Sequence, residues 1–391
     1  MAAKPRFDGE WVRLGELISK AKSKRCGSEI YPVLSMTMHD GIVEQADRFK
    51  KKIASRDTSS YKVVEPGQLV VGFPIDEGVI YVQNYPYPGI MSPAYNVWDI
   101  NGDLIDPAYL ELVLHGPKSM AYYADKMRGT TARRRSLTAD NLCAMRVPLP
   151  SLERQRRVVH LFNTVKDEMA IAGRVVEALD QLVKSRFAEM FGDPAENAMS
   201  WDSISLTSLG SCKNGMNFKS RESGIELPCL GVGDFKDRAF INGVSEIGRV
   251  TLDSMPAEDY FLRDGDIVFV RSNGNKELVG RCLAVFPDGE KAVYSGFCIR
   301  LRVESDQVRI PYLIWALRHP SMRRQMFGRG ANVQNLNQKM MAKVMIPIPP
   351  LSRQDCFLDF AVQVDKSRFI VQQQIEKLQM LYDSLAQEYF S

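Results

Sequence analysis

The sequence VPLPSLERQ, from Val147 to Gln155, occurs a second time as IPIPPLSRQ, from Ile346 to Gln354. The second copy lies 199 positions after the first, and the correspondence continues without a gap as far as Phe191 and Phe390. An internal repeat of this length indicates that the chain consists of two equivalent units.

Each copy predicts one long helix behind a proline-rich segment. In the first copy, Pro148 and Pro150 exclude a helix upstream, and Ser151 can serve as the N-cap. Apolar residues then recur in alternating steps of four and three, the heptad pattern of a helix buried along one narrow stripe. At 1.5 Å per residue, each helix is about 58 Å long. We expect the two helices to pack antiparallel about an internal pseudo-twofold axis, with a domain at each end.

The apolar stripe has corresponding positions in the two copies. In the first copy it comprises Val158, Phe162, Val165, Met169, Ala172, Val176, Leu179, Val183, Phe187 and Met190. In the second copy it comprises Phe357, Ala361, Val364, Arg368, Val371, Ile375, Leu378, Tyr382, Ala386 and Tyr389. Arg368 is the one position that breaks the pattern.

The segments before the helices are predicted to form two α+β domains. Residues 1–146 contain short strand-like runs between Gly, Pro and Asp turns, followed by one helical segment at 107–127. Residues 195–345 repeat this plan with little identity. The expected organisation is therefore a first domain (1–146), a first helix (147–194), a second domain (195–345) and a second helix (346–391).

Short matches support this equivalence of the two domains. Leu206–Leu209, behind the first helix, resembles Leu14–Leu17 near the amino terminus. Residues 265–271 correspond to residues 67–71, and the Tyr312 segment corresponds to the Tyr109 segment. Two similar helices joined to two divergent domains suggest a constant frame that carries two different binding surfaces.

The composition indicates an ordinary globular protein. Apolar residues make up 45% of the chain and charged residues 25%, while the net charge of +4 is too small to argue for a polyanionic partner by itself. Seven cysteines without a C-x-x-C pair favour a reducing compartment over disulfides or zinc. No signal peptide or membrane-spanning run is present in this sequence, so a cytoplasmic location without membrane contact is expected.

Two segments without carboxylates, one in each domain, predict contact with duplex DNA. Residues 126–139 and 307–354 contain no Asp or Glu, and the second includes a polar run of Asn and Gln at 332–338. Phosphates attract Arg and Lys, whereas base edges suit Arg, Asn and Gln. A solvated surface loop is the commoner interpretation of a single run such as Arg133–Arg135, but its occurrence in both domains favours DNA.

A third candidate segment, Arg271–Lys276, is predicted to be a hairpin tip with an Asn-Gly turn, for which a plain turn is an equally good interpretation. The matching residues of the first domain, Phe73–Gly78, contain no basic side chain, so the two binding surfaces should differ. The predicted DNA-binding residues are Lys126, Arg128, Arg133, Arg134, Arg135, Arg271, Asn273, Lys276, Arg323, Arg324, Arg329, Asn332, Gln334, Asn335, Asn337 and Lys339.

The sequence contains no recognisable catalytic motif. Gly231 and Gly233 form a lone Gly-x-Gly without the context of a cofactor loop, and no phosphate-binding loop is present. The four histidines are isolated from one another and have no metal or triad spacing. We therefore expect no active site, no metal and no cofactor on this chain.

The repeated Pro-x-Pro-x-Leu-x-x-Gln motif, with a first helix ending in EMFGDP at Glu189–Pro194, resembles the specificity subunits of type I restriction-modification systems. The resemblance covers the whole chain. It implies two target-recognition domains that each recognise one half of a bipartite duplex, with the helices setting the spacer. It also implies docking of two methyltransferase subunits that use S-adenosylmethionine, and of restriction/translocase subunits that use ATP and Mg²⁺. The base-contacting residues of this family vary, so none is assigned by motif.

Two alternatives stay open at the level of sequence. The chain could be the recognition module of a fused or cryptic DNA methyltransferase, which methyl transfer by the isolated chain would reveal. It could also be a structural coiled-coil scaffold, which would lack the salt-dependent DNA binding that phosphate contacts produce.

Overall fold

The computed structural model describes residues 9–22, 24–38, 40–48, 57–127, 135–218, 224–235, 238–326 and 335–391. The chain divides into two compact units. Unit 1 consists of Met1–Arg174 and Gln372–Ser391, and unit 2 consists of Val175–Val371. Each unit thus contains one domain and part of each long helix. Within the described residues, no helix has both the length and the apolar character needed to cross a membrane.

Unit 1 combines short strands with short helices before the first long helix. Its described strands are β1 (Glu10–Arg13), β2 (Ile18–Lys20), β3 (Leu34–Met36), β4 (Ile42–Glu44), β5 (Lys62–Val64), β6 (Leu69–Val71), β7 (Ile80–Val82), β8 (Gly89–Met91), β9 (Asn96–Ile100) and β10 (Arg146–Leu149). Its described helices are α1 (Gln45–Arg48), α2 (Pro107–Leu114), α3 (Pro117–Lys126) and α4 (Ala139–Ala144), and the long helix α5 (Leu152–Phe191) follows.

Unit 2 has the same kinds of element in a similar order. Its described strands are β11 (Ser203–Ser205), β12 (Gly210–Asn214), β13 (Ile225–Leu230), β14 (Phe240–Asn242), β15 (Arg249–Leu252), β16 (Asp266–Val270), β17 (Cys282–Phe286), β18 (Val293–Tyr294), β19 (Cys298–Val303) and β20 (Met345–Pro347). Its described helices are α6 (Ile310–Arg318), α7 (Pro320–Met326) and α8 (Gln338–Met341), and the long helix α9 (Leu351–Phe390) follows.

The sheet topology confirms the predicted equivalence of the domains. The main sheet has the order β2-β9-β6-β7 in unit 1 and β12-β19-β16-β17-β14 in unit 2, so four strands correspond and β14 is an addition. In both units the first strand pairs antiparallel with the strand that precedes the long helix, β1 with β10 and β11 with β20. The predicted α+β class is correct.

The burial pattern of α5 and α9 confirms the apolar stripe. Every predicted stripe position is buried or half-buried except Arg368, which is exposed. In unit 1 the ring of Phe162 on α5 lies 5.0 Å from that of Tyr382 and 5.4 Å from that of Phe390. In unit 2 the ring of Phe187 lies 5.4 Å from that of Phe357. Early residues of one helix therefore pack on late residues of the other, which is the expected antiparallel pairing.

The prediction of a single helix at 107–127 is wrong. The segment forms two helices, α2 and α3, because Pro117 cannot continue α2 and instead occupies the first turn of α3. The break at Gly116 has a packing role, since a Cβ atom there would lie 2.6 Å from the Cβ of Phe390. Phe390 at the end of α9 is only 2% exposed, against the rings of Tyr109 and Phe162.

Both copies of the repeat have a glutamine at the same position, and the structure explains why. Gln155 and Gln354 are fully buried. The side-chain oxygen of Gln354 accepts from the backbone N–H of Arg309 at 2.7 Å, and its amide donates to the carbonyls of Gln307 at 2.9 Å and Pro349 at 2.8 Å. Each glutamine therefore ties the start of its helix both to the proline segment and to the loop before a domain helix.

Gln155 makes the equivalent bonds in unit 1. It accepts from the N–H of Asp106 at 2.7 Å and donates to the carbonyls of Leu104 at 3.1 Å and Pro150 at 2.8 Å. We call this junction between a long helix and its domain the joint. A tyrosine hydroxyl adds one hydrogen bond to each joint: that of Tyr109 donates to the Pro148 carbonyl at 3.2 Å, and that of Tyr312 donates to the Pro347 carbonyl at 2.8 Å.

Replacing the buried glutamine should loosen the joint in unit 2. Gln354→Ala removes the partners of three backbone groups, of which the Pro349 carbonyl is buried and the Arg309 N–H half-buried, so we expect a loss of roughly 1–3 kcal/mol from the stability of unit 2. Hydrogen exchange should also accelerate at the Arg309 amide, which loses its acceptor. The control is Gln363→Ala on the exposed face of the same helix. This role would be contradicted if Gln354→Ala and the wild type had the same unfolding midpoint and the same hydrogen-exchange rate at the Arg309 amide.

Candidate nucleic-acid interface

The strongest candidate site in unit 2 is built on the loop of residues 271–281, which connects β16 to β17. These strands pair antiparallel, so the predicted hairpin is confirmed. The predicted tight Asn-Gly turn is wrong, because the loop is longer and contains a 3₁₀ turn at Lys276–Leu278. Asn273 and Asn275 shape it: the Asn273 side chain accepts from the Asn275 N–H at 2.8 Å, and the Asn275 side chain accepts from the Glu277 N–H at 3.0 Å.

Residues from two predicted DNA-binding segments, 271–276 and 307–354, meet at this loop. The carbonyl of Arg271 accepts from the N–H of Leu336 at 2.7 Å, and Ser272 forms an antiparallel bridge with Asn335. The guanidinium of Arg323, at the end of α7, donates to the carbonyl of Glu277. Leu336 is fully buried and anchors its segment, which leaves Asn335 exposed beside the loop.

We call this the basic loop surface. It comprises Arg271, Asn273, Lys276, Arg323, Arg324, Asn335, Asn337 and Lys339. Lys276, Arg324, Asn335, Asn337 and Lys339 are exposed, whereas Arg271, Asn273 and Arg323 are half-buried. The exposed members combine cations for phosphates with amides for base edges.

Several members of the basic loop surface also hold the protein together. Arg271 donates to the carbonyl of Gly296 at 3.0 Å. Asn337 is the N-cap of α8, and its side chain accepts from the N–H of Met340 at 3.0 Å. Burial, with Arg281 nearby, lowers the pKa of the Arg323 guanidinium. Lys276, Arg324 and Lys339 are the cations of this surface whose residues are exposed.

The equivalent place in unit 1 has different chemistry. Arg135 forms ion pairs with Asp76 at 2.5 Å and Glu77 at 2.6 Å, in the loop between β6 and β7, and its side chain is only 25% exposed. Its carbonyl also accepts from the N–H of Ile75 at 2.9 Å. Arg135 therefore fastens an acidic loop, whereas the sequence had suggested a cation presented to solvent. Lys126 is exposed at the end of α3, next to Asp125.

The remaining predicted residues, Arg128, Arg133, Arg134, Arg329, Asn332 and Gln334, lie outside the described residues. Sequence reasoning missed Phe297, whose ring is 61% exposed although its carbonyl accepts from the N–H of Arg271 at 2.8 Å. Within the part of the chain that the structure describes, no group of three or more His, Cys, Asp or Glu could hold a metal ion.

Comparisons with known proteins agree with this architecture. Residues 200–380 match the family model of the type I restriction modification DNA specificity domain. The chain is 26% identical over 272 residues to the type I restriction enzyme StySPI specificity subunit of Salmonella potsdam, which is 64% of this chain and 56% of that protein. It is also 24% identical over 230 residues to the type I restriction enzyme EcoKI specificity subunit of Escherichia coli (strain K12). That alignment covers 53% of this chain and 48% of that protein.

The fold extends this similarity over the whole chain. A solved chain from work on complex assembly and conformational transition of the type I R-M system matches with a TM-score of 0.67 at 18% identity, covering 100% of this chain and 99% of that chain. Residues 200–380 thus resemble the specificity domain of type I systems, and the fold similarity extends to the rest of the chain. The sequence matches span about half the length of the two curated relatives, so the function and binding partners of this chain are proposed below.

The structural role of Arg135 can be tested by measuring the stability of unit 1. Arg135→Ala leaves Asp76 and Glu77 half-buried without their cation, and we expect a loss of about 1–2 kcal/mol from unit 1 in urea unfolding. Arg324→Ala, at an exposed position, is the control and should leave the midpoint unchanged. If both variants unfold at the wild-type midpoint, the ion pairs of Arg135 do not stabilise unit 1.

Proposed function

We propose that this chain is the DNA-recognition subunit of a type I restriction-modification complex. Each unit recognises one half of a bipartite duplex target, and the two helices set the spacer between the halves. The observation that supports this most is the repeated joint around Gln155 and Gln354, which presents two domains whose equivalent loops differ in charge. A constant frame with variable loops is the arrangement expected of a protein that recognises two unrelated half-sites.

The basic loop surface suits a duplex in unit 2. Lys276, Arg324 and Lys339 are exposed and can neutralise phosphates, which fixes position and contributes most of the sequence-independent affinity. Asn335 presents an amide beside them, and such an amide can form a bidentate contact with adenine.

The partners and cofactors follow from this role. The chain contributes no catalysis, and two methyltransferase subunits dock on the helices with S-adenosylmethionine. Restriction/translocase subunits join with ATP and Mg²⁺, and the complex works in the cytoplasm, where the DNA is. Large apolar side chains on α9 support docking, since Phe369, Ile370 and Met380 are 63%, 64% and 63% exposed.

Removing the exposed cations should weaken DNA binding without regard to sequence. For a variant with Lys276→Ala, Arg324→Ala and Lys339→Ala, we expect lower affinity for every duplex. The slope of log affinity against log salt concentration should also become shallower by roughly 0.9 per lost contact, because fewer counterions are released. Fluorescence anisotropy of a labelled duplex over a salt series measures both quantities.

The matched control makes the same change in net charge on the long helices. Lys184, Lys366 and Lys377 are exposed there, and their triple alanine variant should retain the wild-type salt slope. The proposal fails if the loop variant binds with the wild-type affinity and slope, or if the control loses as much.

Lengthening both helices should lengthen the preferred spacer. In unit 1, Lys166 lies over the ring of Tyr382, so by the antiparallel register Arg174 lies opposite Gln374. One heptad inserted after Arg174 and another before Gln374 keeps the apolar stripe in phase and adds about 10 Å to the helix pair. At about 3.4 Å per base pair, the spacer should grow by roughly three base pairs while both half-sites stay unchanged.

Selection of bound duplexes from a pool that varies spacer length tests this expectation. Three added pairs also rotate one half-site by somewhat more than a quarter of a turn, at about 10.5 base pairs per turn, so some affinity is lost to DNA twisting. A heptad inserted in one helix alone is the control, because it disrupts the pairing. A lengthened protein that keeps the old spacer at full affinity would show that the helices do not set it.

A further inference from the structure

Phe297 occupies a rigid turn between β18 and β19. Gly296 donates its N–H to the carbonyl of Met216 at 2.6 Å, and the N–H of Cys298 donates to the carbonyl of Ser295 at 2.8 Å. A Cβ atom on Gly296 would lie 2.0 Å from the side-chain oxygen of Asn217, so the chain passes closely here. The backbone that carries the Phe297 ring is therefore fixed from both sides.

The ring nevertheless stands in solvent. Outside the long helices, the exposed large apolar residues among the described part of unit 2 are Met199, Met255, Phe297 and Met345, and Phe297 is the most exposed at 61%, against 45–49% for the methionines. A scattered exposed apolar residue is ordinary. An aromatic ring held on a rigid turn beside a polar surface is a different case, because its backbone is bonded directly to that surface.

Phe297 borders the basic loop surface. Its carbonyl accepts from the N–H groups of Arg271 at 2.8 Å and Ser272 at 3.2 Å, and Ser272 is bridged to Asn335. The guanidinium of Arg271 donates to the carbonyl of Gly296 at 3.0 Å, directly before the ring. One short stretch of surface thus presents a cation, an amide and an apolar ring together.

We propose that Phe297 is a specificity-determining residue whose ring contacts the C5-methyl group of a thymine in the half-site bound by unit 2. This inference rests on the proposed function. Arg and Asn side chains recognise base edges in the major groove, where the apolar feature that a base pair presents is the thymine methyl group. Apolar wedges that unstack base pairs act from the minor groove, which does not suit the neighbouring amide and guanidinium. In unit 1 the corresponding turn carries Ala94, which cannot make the same contact.

Thymine-to-uracil substitution tests the contact, because it removes only the methyl group. The full-length wild-type chain first selects its target from a random duplex pool. Each thymine of the two half-sites is then replaced by uracil in turn, and affinity is measured by anisotropy. For wild type, one position should lose about fourfold in affinity, the effect of one methyl group leaving an apolar contact.

The variant Phe297→Ala should bind the thymine duplex more weakly and lose its sensitivity to uracil at that one position. Met255→Ala, which removes another exposed apolar side chain, is the control and should retain wild-type affinity and sensitivity. Thermal unfolding checks that both variants are folded, as expected for substitutions of exposed side chains.

Three results would overturn the contact. Uracil sensitivity that persists in Phe297→Ala would assign the methyl group to another residue, and no sensitive thymine in wild type would remove its basis. An equal loss for thymine and uracil duplexes would indicate a stacking wedge. Failure of the proposed function is distinguishable, because wild type would then enrich no sequence from the pool.

Discussion

Two buried glutamines determine how the rest of the structure can be arranged. Each amide bonds to the proline segment before its helix and to the loop before a domain helix, with no exposure to water. A fully buried amide that loses its partners costs about 1–3 kcal/mol for each group left unpaired, so a helix leaving the domain in another direction would be strongly disfavoured. Because the bonds of Gln155 and Gln354 are the same, two domains with little sequence identity are joined to their helices in the same way.

The sequence repeat predicted those parts of the fold that both copies must share. Helix length and the apolar stripe follow from local periodicity and from the equivalence of the units. The pairing of β1 with β10 and of β11 with β20 was found only in the structure. The loops could not be predicted, because contacts between residues distant in sequence decide them. From the sequence, Arg135 is predicted to be a cation available to DNA, whereas in the structure it pairs with Asp76 and Glu77, which are distant in sequence. Likewise, Phe297 directly precedes the buried strand β19, and only the turn between β18 and β19 shows that its side chain is exposed.

The loops at equivalent places in the two units differ in charge although the units share one frame. In unit 1 the loop between β6 and β7 is acidic, and both of its carboxylates pair with Arg135 of the same domain. In unit 2 the loop between β16 and β17 is basic, with Lys276 exposed and Asn335 alongside. Neither loop contributes to the joint with the helices, so its residues can change without affecting the bonds of Gln155 or Gln354. The residues of these loops are therefore separate from those that fix the helices, and under the proposed function this separation would permit new half-sites at a constant spacer.

Under the proposed function, a constant spacer also requires that the helices cannot slip along each other. An apolar stripe alone tolerates a shift of one heptad, because the same kinds of residue meet again. Arg368 interrupts the stripe on α9, and its guanidinium donates to Asp180 on α5 at 3.0 Å and to Asp365 on its own helix at 2.6 Å. As a half-exposed ion pair it contributes little to stability. A shift of one heptad would instead place Arg368 opposite Gly173 or Phe187, neither of which has a side chain that can accept its hydrogen bond. The one residue that departs from the apolar pattern therefore favours a single register, and with it a single helix-pair length.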